Sequence, residues 1–369
     1  MKILISGYSG FIGKHLIRAL KTSKEEFNIE FLDRSDFKSS SALEKKIFND
    51  DCIFHFAGVN RAKSDEEVFK KNQKINSNLF EALNNISFKG KLFFTSSTQE
   101  TSNTAYGKSK KAARIKFLNQ SVKLGYKFHG VILPNVFGPF CKPNYNSFIA
   151  TFCNNTILNK SSKIENDIQI SLVYVGDLIK EFLNSLKTDN EIILDKIISK
   201  RKVSEVLTSV EKIHCEYIKN GNFPNLDSSF DLNLFNTFRS YIDLETFFPK
   251  QYNTFDDERG MFTELIRASS KGQSSVSITY KGAIRGNHYH TRKIERFSVI
   301  KGKAKVQIRE VLSDEIINFY LDGESPSFID IPIWFTHNIE NIGEEDLITV
   351  FWINEHYSDK TSDTYIEIV

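Results

Sequence analysis

Two groups of residues in this 369-residue sequence are spaced for chemistry. In the first, His288 and His290 stand one residue apart and Glu295 follows five positions later. Gly282 and Gly302 bracket the run GAIRGNHYHTRKIERFSVIKG, and His337 waits downstream in PIWFTHNIEN. On a strand, positions i and i+2 share a face, so both histidines aim the same way. Glu295 and His337, arriving from neighbouring strands, would complete three nitrogens and one carboxylate, a donor set for a divalent metal with zinc the expected ion. The second group is Ser97, Tyr106 and Lys110. Tyr106 and Lys110 are i and i+4, hence on one face of a helix. An ammonium beside a phenol favours phenolate, which suits Tyr106 to exchange a proton with a substrate oxygen. Ser97 could hold that oxygen by a hydrogen bond. Taken without context, either group could be solvated surface, so the elements that carry them decide.

The N-terminal KILIS reads as a buried strand, followed by the glycine turn GYSGFIG and a helix. Gly7, Gly10 and Gly13, with Phe11 and Ile12 between the last two, let the backbone approach a pyrophosphate at the helix N-terminus. The next strand, IEFLDRSD, ends at Asp33 and Arg34, about 20 residues beyond the last glycine, as a dinucleotide fold requires. Asp33 would favour the ribose hydroxyls of NAD, Arg34 the 2′-phosphate of NADP; either could equally be a surface charge. A third strand, CIFHFAG, ends at Ala57 and Gly58, and a helix from about Glu66 carries Asn72. KLFFTSSTQ reads as a fourth buried strand with Thr95, Ser96 and Ser97 at its carboxyl end, where ligands of open α/β sheets gather. Tyr106-Gly-Lys-Ser-Lys110 then opens a helix to about Leu124. The expected fold here is α/β, a Rossmann-type doubly wound parallel sheet.

The second half changes period. SSVSITY, RFSVIKG, KVQIREV, INFYL, SFIDIP and LITVFWI alternate apolar and polar residues between turns, the pattern of an all-β barrel. The division expected is a nucleotide-binding domain over residues 1–245 and a barrel over residues 254–369, with LETFFPKQYN (Leu244 to Asn253) as linker. Apolar residues make up 40% and charged residues 26%, a soluble globular composition. The formal charge of +3 provides no basic field for nucleic acid or an anionic membrane. Four scattered cysteines without a CxxC suit a reducing compartment. No signal peptide and no apolar run of about 18 residues is visible, so the expectation is a cytoplasmic protein with no membrane or nucleic-acid partner.

The first 245 or so residues resemble the extended short-chain dehydrogenase/reductases that act on nucleotide sugars. The matching stretches are GYSGFIG, FHFAGVN, Asn72, TSST, YGKSK, LPNVFGP and VYVGDL. By that resemblance Ala57, Gly58, Asn72, Tyr106 and Lys110 join the glycine turn in holding the cofactor. Asn135, Asn144 and Asn146 would line the sugar-nucleotide site. The 4,6-dehydratases of this family place an Asp-Glu pair just after the active-site serine or threonine. This chain reads Ser97-Thr98-Gln99-Glu100, which speaks for simple hydride transfer. The bracketed histidine run, G(X)5HXH(X)4E(X)6G, and P-x-W-x-x-H-x-x-x-N resemble both motifs of the metal-binding cupins, with Trp334 where many carry glycine.

DDERGMFTELIR and IRGNHYH further resemble the deoxysugar 3,5-epimerases, themselves cupins. That likeness brings a conflict, because their general-base histidine aligns with His288, and a metal-bound imidazole is a poor base. Tyr289 and Tyr365 are the other candidates, without a motif behind them. A dehydrogenase followed by a metal cupin resembles, over the whole chain, the bifunctional capsular-polysaccharide enzymes of the L-fucosamine pathway. The resemblance implies C3 epimerisation of a UDP-4-keto-6-deoxy-hexosamine by the cupin, then NADPH-dependent reduction at C4. It also implies a product of the UDP-2-acetamido-2,6-dideoxy-L-talose type and a homodimer. The order follows from chemistry: the C3 proton is acidic only while C4 is a ketone. The metal could act as a Lewis acid or merely brace the barrel. Two rivals are an NAD-dependent UDP-sugar 4-epimerase with a structural cupin, and a non-catalytic regulator. Ser97, Tyr106 and Lys110 speak against the regulator, which has no use for a proton relay.

Overall fold

The computed structural model describes residues 2–188, 190–252, 254–257, 260–263, 266, 272–355 and 363–369. By packing, the chain forms two units, Met1–Phe137 with Gln169–Arg201, and Gly138–Ile168 with Lys202–Val369.

In the first unit β1 (Lys2–Ser6), α1 (Phe11–Lys21), β2 (Asn28–Leu32), α2 (Ser40–Glu44) and β3 (Cys52–His55) come first. They are followed by α3 (Asp65–Asn85), β4 (Lys91–Ser97), α4 (Ala105–Leu124) and β5 (Lys127–Leu133). The five strands form a parallel sheet in the order β2-β1-β3-β4-β5. The strand order reverses at β1, and a crevice opens at such a switch point, outside the carboxyl ends of β1 and β3.

Successive residues of each strand serve opposite faces. Ile3, Ile5, Phe54 and Phe93 pack with Leu16 and Leu20 of α1, while Leu4, Ile53, Leu92 and Phe94 pack with Leu79 and Leu83 of α3 and Phe117 of α4. Burial on both faces is why these strands read as unbroken apolar runs. His55 is a fully buried polar residue among them, satisfied on both ring nitrogens by Ser6 Oγ (2.7 Å) and Asn76 Oδ1 (3.0 Å). Burial, helped by the Lys110 charge, pushes its pKa down to about 3, so it is a neutral tie between β1, β3 and α3.

After β6 (Asn135–Phe137) the chain enters the second unit with α5 (Phe148–Ile157). It returns for β7 (Gln169–Tyr174), α6 (Val175–Thr188) and β8 (Ile198–Lys202); β6, β7 and β8 make a small sheet.

The second unit continues with α7 (Val203–Ile213), α8 (Ser229–Arg239) and α9 (Leu244–Phe247). Strands follow: β9 (Lys250–Gln251), β10 (Thr254–Asp257), β11 (Gly260–Thr263), β12 (Gln273–Thr279), β13 (Ile284–Tyr289), β14 (Glu295–Lys301) and β15 (Lys303–Glu310). The last are β16 (Ile316–Asp322), β17 (Ser327–Ile331), β18 (Phe335–Asn341), β19 (Leu347–Ile353) and β20 (Tyr365–Ile366). Two five-stranded antiparallel sheets, β12-β19-β14-β17-β9 and β16-β15-β18-β13-β20, make the all-β cupin architecture expected.

The stretch read as a linker forms α9 and β9, and β9 pairs with β17 through Gln251 and Lys250. Asn253 lies outside the described residues, as do Glu258, Arg259, Glu264, Leu265 and Arg267 of DDERGMFTELIR.

One sheet departs from the simple alternation of inward apolar and outward polar residues. Arg296 and Ser298 of β14 occupy the polar positions, yet both are buried. Arg296 forms a two-pronged pair with Asp330 of β17 (2.7 and 3.0 Å), and Tyr217, in a π-helical turn after α7, donates to the same carboxylate. Arg239 at the end of α8 donates to the Ile331 carbonyl at 2.7 Å. The helices thus cover this sheet, and its outward face becomes interior. A buried pair of this kind persists because its polar atoms are matched; removing one partner costs about 3–5 kcal/mol.

Candidate active site and candidate metal centre

The glycine turn closes as the sequence predicts. Gly7 has φ +65°, and a Cβ there would lie 2.8 Å from the Ala57 nitrogen, so the turn packs against the chain leaving β3. Gly10 is the N-cap of α1, and Phe11, Ile12 and Gly13 form its first turn. Asp33 and Arg34 are exposed just beyond β2, and Asp33 Oδ1 accepts a hydrogen bond from the Tyr8 hydroxyl at 2.7 Å. Asn72, buried on α3, clasps the backbone of Val59 through both amide atoms (2.7 and 2.9 Å) and donates to Ser109 Oγ of α4 at 3.2 Å.

Lys110 is buried, and its ammonium donates to the Thr95 carbonyl of β4 at 2.9 Å, 5.9 Å from the centre of the Tyr106 ring. Burial pushes its pKa down to about 8. A Cβ on Gly58 would stand 3.4 Å from Lys110 Nζ and 3.5 Å from Asn72 Oδ1. The ends of β3 and β4 therefore meet one face of α4, with Ser97 at the end of β4 accepting from the Gln99 nitrogen at 3.2 Å.

That approach depends on a residue the sequence reading passed over. A Cβ on Gly107 would come within 2.0 Å of the Gln99 carbonyl oxygen, so only glycine lets α4 dock on the turn after Ser97. The visible signal was a glycine directly after Tyr106 in a helix start. Glu100, three residues after Ser97, is tied to Arg114 by two bonds of 2.8 and 2.7 Å and to Ser96. Burial pushes its carboxyl up, but those hydrogen bonds outweigh it and hold it below the ordinary range. It is a fixed carboxylate rather than a proton donor. Asn135 lies exposed on β6 in the first unit; Asn144 and Asn146 are exposed in the second, ahead of α5.

In the barrel, His288, His290, Glu295 and His337 converge, with one ligand atom from each lying within 4.8 Å of the others. His288 pairs directly with His337 across β13 and β18. Glu295 comes from the facing sheet, on β14, rather than from a neighbouring strand of the same sheet, because the chain crosses over between His290 and Glu295. Glu295 Oε2 is 3.2 Å from both His290 Nε2 and His337 Nε2. The opposite nitrogens face main-chain carbonyls: His290 Nδ1 that of Asp363, His337 Nδ1 that of Phe335 at 3.2 Å.

If each Nδ1 carries the proton, each Nε2 presents a lone pair to a carboxylate oxygen. His337 Nε2 is buried and, despite its distance from Glu295, is not aligned to hydrogen-bond with it. Lone pairs and a carboxylate facing one another in a buried space fit a divalent cation. Burial and the other two imidazoles push His288 down to about 4, which keeps it neutral as a ligand must be. With no cation between them the alternative is a proton on His290 Nε2: burial pushes Glu295 up, but hydrogen bonding and charge from the imidazoles outweigh it and hold it well below the carboxylate range, while Glu295 raises His290.

Tyr289 points to the opposite side of β13, stacked on Tyr365 and Trp334 (centroids 5.4 and 5.9 Å). Burial raises both phenols, which disfavours either as a base.

The model of the NAD dependent epimerase/dehydratase family matches residues 3–194, and that of the polysaccharide biosynthesis C-terminal domain matches residues 255–365. Over 99% of its length the chain is 32% identical to the UDP-2-acetamido-2,6-beta-L-arabino-hexul-4-ose reductase of Pseudomonas aeruginosa, covering 98% of that protein. The solved structure of CapF from Staphylococcus aureus, a capsular polysaccharide assembling protein, aligns over 100% of both chains with a TM-score of 0.62 at 32% identity. The chain belongs to the CapF family. UDP-glucose 4-epimerase from Thermotoga maritima, at 17% identity and a TM-score of 0.54, aligns over 65% of this chain and 98% of its own, a likeness of fold. Among the described residues no helix is long and apolar enough to cross a membrane.

Proposed function

We propose that this chain is a bifunctional nucleotide-sugar enzyme. Its cupin epimerises C3 of a UDP-4-keto-6-deoxy-hexosamine, and its reductase site then reduces the C4 ketone with NADPH. The product is of the UDP-2-acetamido-2,6-dideoxy-L-talose type, for capsule or O-antigen synthesis. The observation that carries the reading is the buried Lys110, held at the end of β4 beside Tyr106, on a chain that also holds the His/Glu cluster. The reductase relative and CapF, both matched over the whole chain, support it.

The glycine turn would hold NADPH, which would supply hydride to C4; in that site Tyr106 gives its proton to the C4 oxygen, and Ser97 holds that oxygen. The Lys110 ammonium stabilises the phenolate left behind. Asp33 is occupied by Tyr8, and the exposed Arg34 is the group we assign to the 2′-phosphate of NADPH. Residues 1–245 carry the reduction and residues 254–369 the epimerisation. His288, His290, Glu295 and His337 would hold the metal, zinc by donor set, and a bound cation supplies Lewis acidity. The enzyme acts in the cytoplasm as a homodimer.

The test is product analysis in D₂O with the 4-keto sugar nucleotide, with and without NADPH. Without NADPH, deuterium is expected at C3; with it, the C4-reduced and C3-inverted sugar. A product reduced at C4 with no deuterium at C3 would remove the epimerase half of the proposal. His290→Ala is expected to lose metal while still binding NADPH; a folded, metal-free variant that still exchanges C3 would make the metal structural.

A further inference from the structure

The two histidine ligands before the crossover and the glutamate after it are joined by Thr291–Ile294, and this connection is held from elsewhere in the chain. Asp363, fully buried, sits beneath it. One carboxylate oxygen accepts from the backbone nitrogens of Thr291 (3.2 Å), Arg292 (2.9 Å) and Lys293 (3.0 Å). The other accepts from the Thr291 hydroxyl at 2.6 Å and lies 3.3 Å from the Thr291 nitrogen. The Arg292 guanidinium approaches at 3.7 Å. The main-chain carbonyl of the same residue faces His290 Nδ1. With its oxygens engaged this way, Asp363 belongs to no ligand set, and it stands outside the converging four.

We propose that Asp363 is the positioning residue of the metal centre. Its carboxylate fixes the crossover between His290 and Glu295, and its carbonyl orients the His290 ring so that Nε2 faces the ion. The inference rests on the metal reading of the His/Glu cluster. Three convergent N–H donors call for an ionised carboxylate. An amide in its place would set N–H against N–H, and a smaller side chain would leave buried donors unmatched. The segment after Asp363 secures the arrangement independently. Tyr365 and Ile366 pair with β13, and the Glu367 nitrogen donates to the Asn287 carbonyl at 2.9 Å. Arg309 binds Glu367 at 2.9 Å and the Ile368 carbonyl at 2.8 Å. Those contacts anchor the C-terminus without touching the crossover.

The test is competition of full-length, chelator-stripped protein against a chromophoric chelator for Zn²⁺, with the visible spectrum of the Co²⁺-loaded protein as second readout. Asp363→Asn is expected to weaken Zn²⁺ binding by about 10–100-fold, as loss of an outer partner does, and to shift the Co²⁺ bands. Arg309→Gln is expected to lower Tm while leaving affinity and spectrum unchanged, which separates positioning from general loosening. Should Asp363→Asn fail to fold, Thr291→Val, which removes the hydroxyl's contacts to Asp363 and Tyr365 but keeps the backbone donors, is expected to cost several-fold in affinity. Wild-type affinity and spectrum in Asp363→Asn, or unchanged affinity in Thr291→Val, would overturn the proposal while leaving the metal reading intact. A wild type that takes up no stoichiometric metal overturns both.

Discussion

Lys110 of the candidate reductase relay and most of the barrel cluster are buried polar groups, yet the two sites treat protons in opposite ways. In the relay, burial brings Lys110 down to about 8, close to where an ammonium can respond to its surroundings. In the barrel, burial drives His288 down to about 4, and main-chain carbonyls face the outer nitrogens of His290 and His337. The first site keeps a proton ready to move. In the second, burial pushes His290 down but the Glu295 carboxylate outweighs it and raises its pKa, so that pair holds the place a cation would take.

The sharpest way to break that contrast is Tyr106→Phe. Loss of a general acid lowers rate by about 10²–10⁴-fold, so C4 reduction should fall by that order while deuterium exchange at C3 continues at the wild-type rate. Simultaneous loss of both activities, with the fold intact by circular dichroism, would mean that the sites are not chemically separate.

A smaller effect is expected from Arg34→Ala. A charge-assisted contact is worth roughly 1.5–3 kcal/mol, so Kd for NADPH should rise by about one to two orders of magnitude while that for NADH barely moves. Equal losses for both cofactors would return the reading of the ribose to Asp33.

The mildest probe is pH. Lys110 lies below its ordinary value of 10.5, so it loses its proton near pH 8 rather than in strong base. Above that pH the phenolate left by Tyr106 has no ammonium beside it. The rate of reduction at saturating cofactor should therefore fall on the alkaline side with an apparent pKa near 8, and Lys110→Arg should remove that limb. A pH-independent profile up to pH 9.5 would show that Lys110 does not support the phenol by its charge.

Much of this was legible in the sequence because the signals were local. The glycine turn, the hydroxyl-rich end of β4 and the Tyr106–Lys110 spacing each lie within one strand–turn–helix step. His288, His290 and Glu295 likewise fall on one short run. What escaped was set by tertiary neighbours. Arg296 occupies the polar half of an alternating strand and reads as solvent-facing, but helices cover that face and Asp330 takes its charge. Asp363 reads as one more acid near the C-terminus, since nothing in its own segment announces three backbone donors waiting at Thr291, Arg292 and Lys293. Glu100 was visible, but nothing local announces its bonds to Arg114 and Ser96.

The chain changes unit at Phe137, Ile168 and Arg201, and α7 and α8 pack against barrel strands through Tyr217, Arg239, Arg296 and Asp330. A gene split in the stretch between residues 245 and 254 would therefore not yield two self-sufficient proteins. The first fragment would expose Tyr217 and Phe223, which meet Asp330 and Trp352 of the barrel, and the second would turn a guanidinium–carboxylate pair out to water. Natural exchange of the two catalytic activities among related enzymes should accordingly carry the helices along with the barrel, and chimaeras joined at that stretch should aggregate unless both partners of the pair come from the same parent.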